Sequence, residues 1–441
     1  MFMKITLESQ DSERVQGADR LAAQVEAPSF RHSTDKQAVE KEGVMTGPYD
    51  RTEALARPER GVVDGAKALM LRVRTWRLSG SFNPLCTETQ YRDFFTSTFF
   101  HNLDWLRGIS ILLVLFHHVP SLDGSILRTL QMNGRYGVAL FFSISGFLIC
   151  SLLLREEEKN GRINLIHFYI RRSLRLFPLY YTVLFLYVIL VFVFDQFSPE
   201  NQMLFKRRLI SHLFYFSNLT TVLATGPFFF SWSLAVEEQF YLGFSQLMRW
   251  FNRRHLILLL AGALFSKILV FNVGWISEDD PDLVWKMVFS YREPILMGVL
   301  LAFALHTRQG FWVFKSFLSR PFILGLIGLT TVIMLLTMQF CHETALTSQA
   351  LYLLMTAFIG GCAIRPNIPA LGNRLLNHIG KMSYGIYLLH VLVIVAVKTL
   401  ISVDPWVVFC LSAAGVVILE SLVYRYFEYP ILKYKSKFSK T

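Results

Sequence analysis

Residues 103–119 read LDWLRGISILLVLFHHV, an apolar run of membrane-helix length that carries an acid, an arginine and two histidines. Ionisable groups inside a membrane span are costly, so they face a protein interior or a water-filled cavity and act there. At 100° per residue, Asp104, Arg107 and His118 fall within about 60° of one another on the helix. His118 lies roughly 16 Å beyond Arg107 along the axis. In a hydrocarbon core of about 30 Å, an arginine at one interface puts this histidine near the midplane. His117 is adjacent but points 100° away around the helix.

The rest of the chain supports a membrane reading. Of 441 residues, 53% are hydrophobic and 17% charged, and the mean hydropathy is +0.40. That composition excludes an ordinary soluble domain. The net charge of +12 is spread over loops and tail. It fits positive-inside anchoring and affinity for anionic lipid, not a nucleic-acid surface. Cys86, Cys150, Cys341, Cys362 and Cys410 are scattered, with no C-x-x-C pair. They indicate neither a disulfide framework nor a metal site.

Apolar stretches of spanning length recur near 104–120, 136–154, 178–196, 232–250, 256–274, 287–305, 321–340, 346–364, 383–401 and 406–425. The stretch 209–224 is shorter and carries His212, Asn218 and two threonines. If it does not span, the loops 155–177, 249–255, 306–320 and 365–382 and the tail are basic and fall on one side. The acidic loop 275–286 then falls on the other, and only Lys206, Arg207 and Arg208 break the pattern. If it spanned, every later loop would invert. The expected fold is therefore an all-α integral membrane protein of about ten transmembrane helices. Both termini are cytoplasmic, and 209–224 is a re-entrant or interfacial piece on the outer side.

Residues 1–95 are polar and without a long apolar run or a secretory signal. They read as a disordered cytoplasmic extension or the product of an upstream start codon. Within them, 62–78 mixes apolar residues with Lys67, Arg72, Arg74 and Arg77, as an interfacial helix would. Residues 433–441 form a basic cytoplasmic tail.

From residue 103 onward a set of motifs appears in order: LDWLRGISILLVLFHH (103–118), GVALFFSISGFLI (137–149), FYIRRSLRLFPLYY (168–181), FFFSWSLAVEEQFYL (228–242), YREPILMGVLLA (291–302), IGKMSYGIYLLH (379–390) and YRYFEYPI (424–431). This pattern resembles the acyltransferase 3 family, integral-membrane O-acyltransferases that modify bacterial cell-surface and secreted glycans. The resemblance covers about residues 99–432. Family members often carry a further extracytoplasmic domain after the last helix. This chain ends at Thr441 and looks like the stand-alone form.

The resemblance implies functional residues, which can be weighed on their own chemistry. The family's arginine and histidine with ten residues between match Arg107 and His118. His118 is expected to act as general base on an acceptor hydroxyl; an acyl-histidine intermediate is the alternative. His117 is a weaker candidate beside it, and Asp104 is collinear with both Arg107 and His118. Arg172 and Arg175, three apart on one helix face, match the family's Arg-x-x-Arg pair. With Arg171, they are expected to bind the phosphates of acyl-coenzyme A, since guanidinium forks suit phosphate; the bland alternative is positive-inside anchoring, the role given to Arg155, Lys159 and Arg162. Ser145 and Gly146 serve either the site or close helix packing. Where the family often has an acid in this motif, Ala139 stands here.

Glu237 and Glu238 enter a span side by side. One of them could accept an imidazole N–H and fix its tautomer, or bind sugar hydroxyls, and Glu237 is favoured because it shares a face with Tyr241. Trp232 reads as an interfacial belt residue. Arg292, beside Glu293, matches the family's pattern imperfectly. Ser383, Tyr387 and His390 share one helix face, for the site or for hydrogen bonding between spans. Arg425 and Glu428 could pair at i,i+3. No metal cluster and no permanently bound cofactor is expected; acyl-CoA, as acetyl-CoA, is the co-substrate.

The resemblance thus implies a multi-pass O-acetyltransferase of the bacterial inner (plasma) membrane. Its partners are acyl-CoA, a glycan or lipid-linked sugar acceptor and the lipid bilayer, with no nucleic acid. The rival is a transporter or flippase for a glycan or lipid-linked sugar, which would predict repeats between halves, and none is visible. A non-catalytic assembly partner is the weakest reading, because the polar motifs are intact.

Overall fold

A computed structural model of the chain describes residues 84–435, apart from 98–99, 123, 221–224, 273–291, 339–344, 366–367, 369–372 and 402–403. The described residues from Glu88 onward belong to one compact unit. Segment 62–78, the acidic loop 275–286 and the last residues of the tail lie outside the described residues.

The described residues are helical throughout, without a strand. In chain order the elements are α1 (Pro84–Thr96), α2 (His101–His118), α3 (Ser125–Asn133), α4 (Tyr136–Asn160), α5 (Leu165–Phe192), α6 (Pro199–Leu213) and α7 (Ser217–Thr220). A 3-10 turn (Phe229–Ser231) leads into α8 (Trp232–Trp250), α9 (Arg253–Asn272), α10 (Glu293–Leu305), α11 (Arg308–Leu318), α12 (Pro321–Thr337) and α13 (Ala345–Ile364). Then come α14 (Arg374–Lys381), α15 (Ser383–Leu400), α16 (Pro405–Val423), a π turn (Tyr424–Glu428) and α17 (Tyr429–Lys435).

Local chemistry sets many of the ends. The Asn164 side chain caps α5 by accepting the His167 N–H at 3.1 Å. Asp404 accepts the N–H groups of Trp406 and Val407, with Pro405 in the first turn of α16. Both serve orphan amide groups of a helix start. Gly161, at φ +70, closes α4 in the left-handed conformation that glycine adopts without strain.

Helices stand at each of the ten stretches expected to span. Among the described residues, five apolar helical stretches can cross a membrane by length and composition, within 126–160, 165–192, 346–364, 383–400 and 405–434. Two bent pairs, 88–96 with 101–118 (54°) and 308–318 with 321–337 (78°), raise the number to seven. The apolar α10 is shorter, and α8 carries Glu237, Glu238, Gln239 and Gln246 within its length. The stretch 209–224 is not a continuous helix. α6 ends at Leu213, Tyr215 has φ +57 and α7 covers four residues.

α2 sits between two cores. Leu103 and Leu106 at its start join a cluster with Ile144, Phe147, Leu153 and Val299. Ile111, Val114 and Leu115 further along join one with Tyr180, Tyr187, Phe230 and Leu388. α4 and α10 cross in backbone contact. A Cβ on Gly146 would stand 2.1 Å from the Ile295 carbonyl oxygen, and one on Gly298 2.1 Å from that of Ser143. Small residues permit this approach, so the packing expected of Gly146 is present, and it fixes Ser145 next to it.

Two expectations change. The polar extension does not run disordered to residue 95, because α1 covers its end. Phe94 is buried in the first core, and the Tyr91 hydroxyl donates to the His306 carbonyl at 2.9 Å. Aromatic residues at i, i+3 and i+4 give this otherwise polar helix an apolar stripe. Arg155 is not a simple anchor: its guanidinium donates to the carbonyls of Phe94 (2.9 Å) and Ser97. It satisfies carbonyls at the end of α1 that have no partner within the helix.

Candidate active site

Five helices converge on a narrow, partly open cavity. α2 supplies Arg107, α4 Ser145, α5 Arg172 and Arg175, α8 Ser233, Glu237 and Tyr241, and α15 Ser383, Tyr384 and Tyr387. The Glu237 carboxylate is held at both oxygens. Ser145 donates to Oε1 at 2.9 Å and Tyr241 to Oε2 at 2.9 Å. The Arg172 guanidinium lies 4.5 Å from the centroid of the Tyr241 ring, a cation–π distance. Arg107 donates to Asp104 Oδ1 at 3.1 Å, as their i,i+3 spacing predicts. Cationic groups from two helices and one anchored carboxylate therefore share a partly enclosed space. Such a space suits an anionic ligand with hydrogen-bonding groups along its length.

The histidines form a second group, and His118 is not among the residues lining the cavity. His118 Nδ1 lies 2.8 Å from the Val114 carbonyl. A carbonyl only accepts, so this nitrogen carries the proton and the neutral ring keeps its lone pair on Nε2. The His390 ring lies 4.9 Å away, with Phe229 at 5.7 Å and His117 at 5.1 Å. His390 is fully buried, donates from Nδ1 to the Tyr387 carbonyl at 2.5 Å and has no partner for Nε2. Tyr387 joins the two groups. It lines the cavity, its carbonyl holds His390, and its hydroxyl donates to the Phe230 carbonyl at 2.9 Å and contacts Ser233 Oγ at 2.6 Å. His117 Nδ1 instead takes the Gln131 carbonyl at 2.9 Å.

The structure thus brings Arg107, Ser145, Arg172, Arg175, Glu237 and Tyr387 together, and sets His118 beside His390. Other expectations are corrected. Neither glutamate orients the imidazole, because Glu237 is taken by Ser145 and Tyr241 and the Val114 carbonyl holds His118. Glu238 is off the cavity wall, with Oε1 buried and unpartnered. Arg171 turns away and pairs with Glu156 at 2.8 Å, because consecutive helical residues point 100° apart. Arg292 lies 5.0 Å over the Trp232 ring, which packs on Phe142, so Trp232 is not simply a belt residue. Glu293 pairs with Lys267 at 3.4 Å, both buried. Arg425 lies over Tyr426 while Glu428 keeps a buried oxygen unpartnered. The π turn at 424–428 changes the residue spacing on which an i,i+3 pair depends.

Sequence reasoning missed Tyr384 and Ser233. Ser233 carried a readable signal, because it precedes Glu237 by four residues on the same face. Tyr384 follows Ser383 directly and carried none. Among the described residues, no three His, Cys, Asp or Glu side chains group so as to hold a metal ion.

Residues 100–425 match a family model described as an acyltransferase domain. The O-acetyltransferase OatA of Staphylococcus aureus strain NCTC 8325 is 30% identical over 359 residues, covering 75% of this chain and 57% of that protein. The OatA proteins of strains COL and MRSA252 match with the same figures. The chain spans little more than half the length of these relatives. No solved structure matches it. The ordered motifs, the apolar helices and a match over most of the chain agree that this is a multi-pass membrane protein belonging to the acyltransferase 3 family.

Proposed function

We propose that the protein is a membrane O-acetyltransferase of the bacterial plasma membrane. It takes an acetyl group from acetyl-CoA on the cytoplasmic side and passes it to a hydroxyl of a cell-surface or secreted glycan, or of its lipid-linked precursor. The observation that carries this reading is on α2, where one helix presents Arg107 to the cavity and, further along, an imidazole whose Nδ1–H is already committed. The names of the staphylococcal relatives support acetyl as the group moved.

In this reading Arg172 and Arg175 hold the phosphates of the donor, and the acyl arm runs toward His118. Nε2 of His118 removes the proton of the acceptor hydroxyl as its oxygen attacks the thioester carbonyl. The C–O bond forms, the C–S bond breaks, and the proton passes from the imidazolium to the leaving sulfur. Direct attack by Nε2 gives an acyl-histidine instead. The topology that suits this path has ten spans with both termini cytoplasmic. Arg107 then sits at the cytoplasmic mouth and His118 deeper.

The test is acetyl incorporation into envelope glycans, followed by mass spectrometry, for wild type and His118→Gln. Wild type is expected to incorporate acetyl, and His118→Gln to lose at least about 100-fold. Equal incorporation removes His118 as the base. None by the wild type turns the reading toward a transporter.

A further inference from the structure

A second cavity, of about 300 Å³ and open to solvent, lies where the start of α2 meets α14. It is lined by His101, Asp104, Arg374, Asn377, His378 and Lys381. Its two walls touch backbone to backbone. A Cβ on Gly380 would stand 1.7 Å from the Asp104 carbonyl oxygen, and one on Gly108 2.4 Å from that of Leu376. Without side chains to yield at this crossing, the relative placement of the two walls is fixed.

The lining combines two unlike demands. Asp104 is 5% exposed, and its Oδ2 has no hydrogen-bond partner. Asn377 Oδ1 is likewise buried and unpartnered. Buried acceptors without donors are costly and call for one. Around them Arg374, His378 and Lys381 of α14 bring basic groups at the spacing of a helix face, and guanidinium is a fork for phosphate. A ligand that meets both demands carries an N–H donor on one part and phosphates on another. A phosphorylated adenosine has that chemistry, with an exocyclic amine on the base and anionic groups on the ribose.

This cavity shares a wall with the first. Asp104 lines one, Arg107 lines the other, and the two side chains are hydrogen-bonded at 3.1 Å. We propose that the α2–α14 cavity is the subsite for the adenosine and ribose 3′-phosphate of the acyl-CoA donor, with the diphosphate directed past Arg107 to Arg172 and Arg175 and the acyl arm running on into the arginine-lined cavity. The proposal rests on the donor reading above and adds to it where the nucleotide sits and what recognises the base. The Asp104–Arg107 pair then belongs to both halves of one donor site.

The test uses the full chain in phosphatidylcholine nanodiscs, with binding measured for coenzyme A, adenosine 3′,5′-bisphosphate, inorganic pyrophosphate and 4′-phosphopantetheine. In the double variant Arg374→Gln, His378→Gln, coenzyme A and the bisphosphate are expected to bind at least about tenfold more weakly. Phosphopantetheine, which lacks the nucleotide, is expected to change less than about twofold. In the wild type the bisphosphate is expected to outcompete pyrophosphate. If wild type and variant bind coenzyme A equally, the subsite is overturned and the donor reading stands. If the variant loses phosphopantetheine as much as coenzyme A, the effect is structural and the subsite is likewise overturned. If pyrophosphate competes as well as the bisphosphate, the base is not recognised and the nucleotide assignment fails. If the wild type binds no coenzyme A, the donor reading itself falls.

Discussion

Tyr241→Phe isolates one hydrogen bond at the centre of the arginine-lined cavity. The Tyr241 hydroxyl donates to Glu237 Oε2 at 2.9 Å, and Ser145 donates to the other oxygen. The substitution removes only the hydroxyl. The ring that lies under Arg172 at 4.5 Å keeps its shape, so the cation–π contact is preserved. A hydrogen bond to an ionised carboxylate is worth about 1.5–3 kcal/mol. With one anchor left, Glu237 pivots about its Ser145 contact. If its placement is needed for transfer, this range corresponds to a loss of roughly 10- to 150-fold in kcat/KM. The assay is transfer of radiolabelled acetyl from acetyl-CoA by the purified chain in nanodiscs, beside a melting curve of the same sample. Ser145→Ala is expected to lose a similar factor, and the double variant less than the product of the two, because both act through one carboxylate. A Tyr241→Phe protein whose kcat/KM and melting temperature both match the wild type would refute the view that the anchored Glu237 organises this site.

Three further predictions follow from the packing and the direction of side chains. Gly298→Ala drives a Cβ to within 2.1 Å of the Ser143 carbonyl oxygen. It should cost about 1–3 kcal/mol or more, read as a lower melting temperature with reduced activity, whereas Gly325→Ala, with nothing within 4 Å, should lower neither. Arg172→Gln should raise the KM for acetyl-CoA at least about tenfold, while Arg171→Gln, which loses a pair with Glu156 off the cavity wall, should change it less than about threefold. Steady-state titration of the donor separates the two. Arg155→Gln removes the donors that hold the Phe94 and Ser97 carbonyls and should free α1 at a cost of about 2–4 kcal/mol. Limited proteolysis should then cut between residues 84 and 100 in the variant well before the wild type.

Much of the helical framework was legible because spanning helices announce themselves locally. An apolar run of the right length needs no partner to be recognised, and the ten expected stretches all coincide with helices. The failure of 209–224 to form one continuous helix was legible from its short length and its His212, Asn218 and threonines. α1 was not, because a polar helix with a narrow aromatic stripe takes its place from Arg155 and His306, both far along the chain. The site divides in the same way. Arg107, Arg172, Arg175, Ser145, Glu237 and Tyr387 were picked out by residue type and spacing together with the family motifs in which they fall.

The chain by itself determined where helices form and which of them carry groups too polar for lipid, since both follow from local composition and the 3.6-residue period. Only the tertiary structure decided which of those groups meet. Arg171 and Arg172 are neighbours in sequence, yet one faces Glu156 and the other the cavity. His118 is held by the carbonyl four residues before it, not by the glutamates the sequence offered, and its ring neighbour His390 comes from a helix 272 positions away. Those outcomes depend on how helices cross, and the crossings are set by backbone contacts at Gly146, Gly298, Gly108 and Gly380. No local pattern encodes the partner that a glycine will admit, and that is why the shared wall at Asp104 and Arg107 becomes visible only in three dimensions.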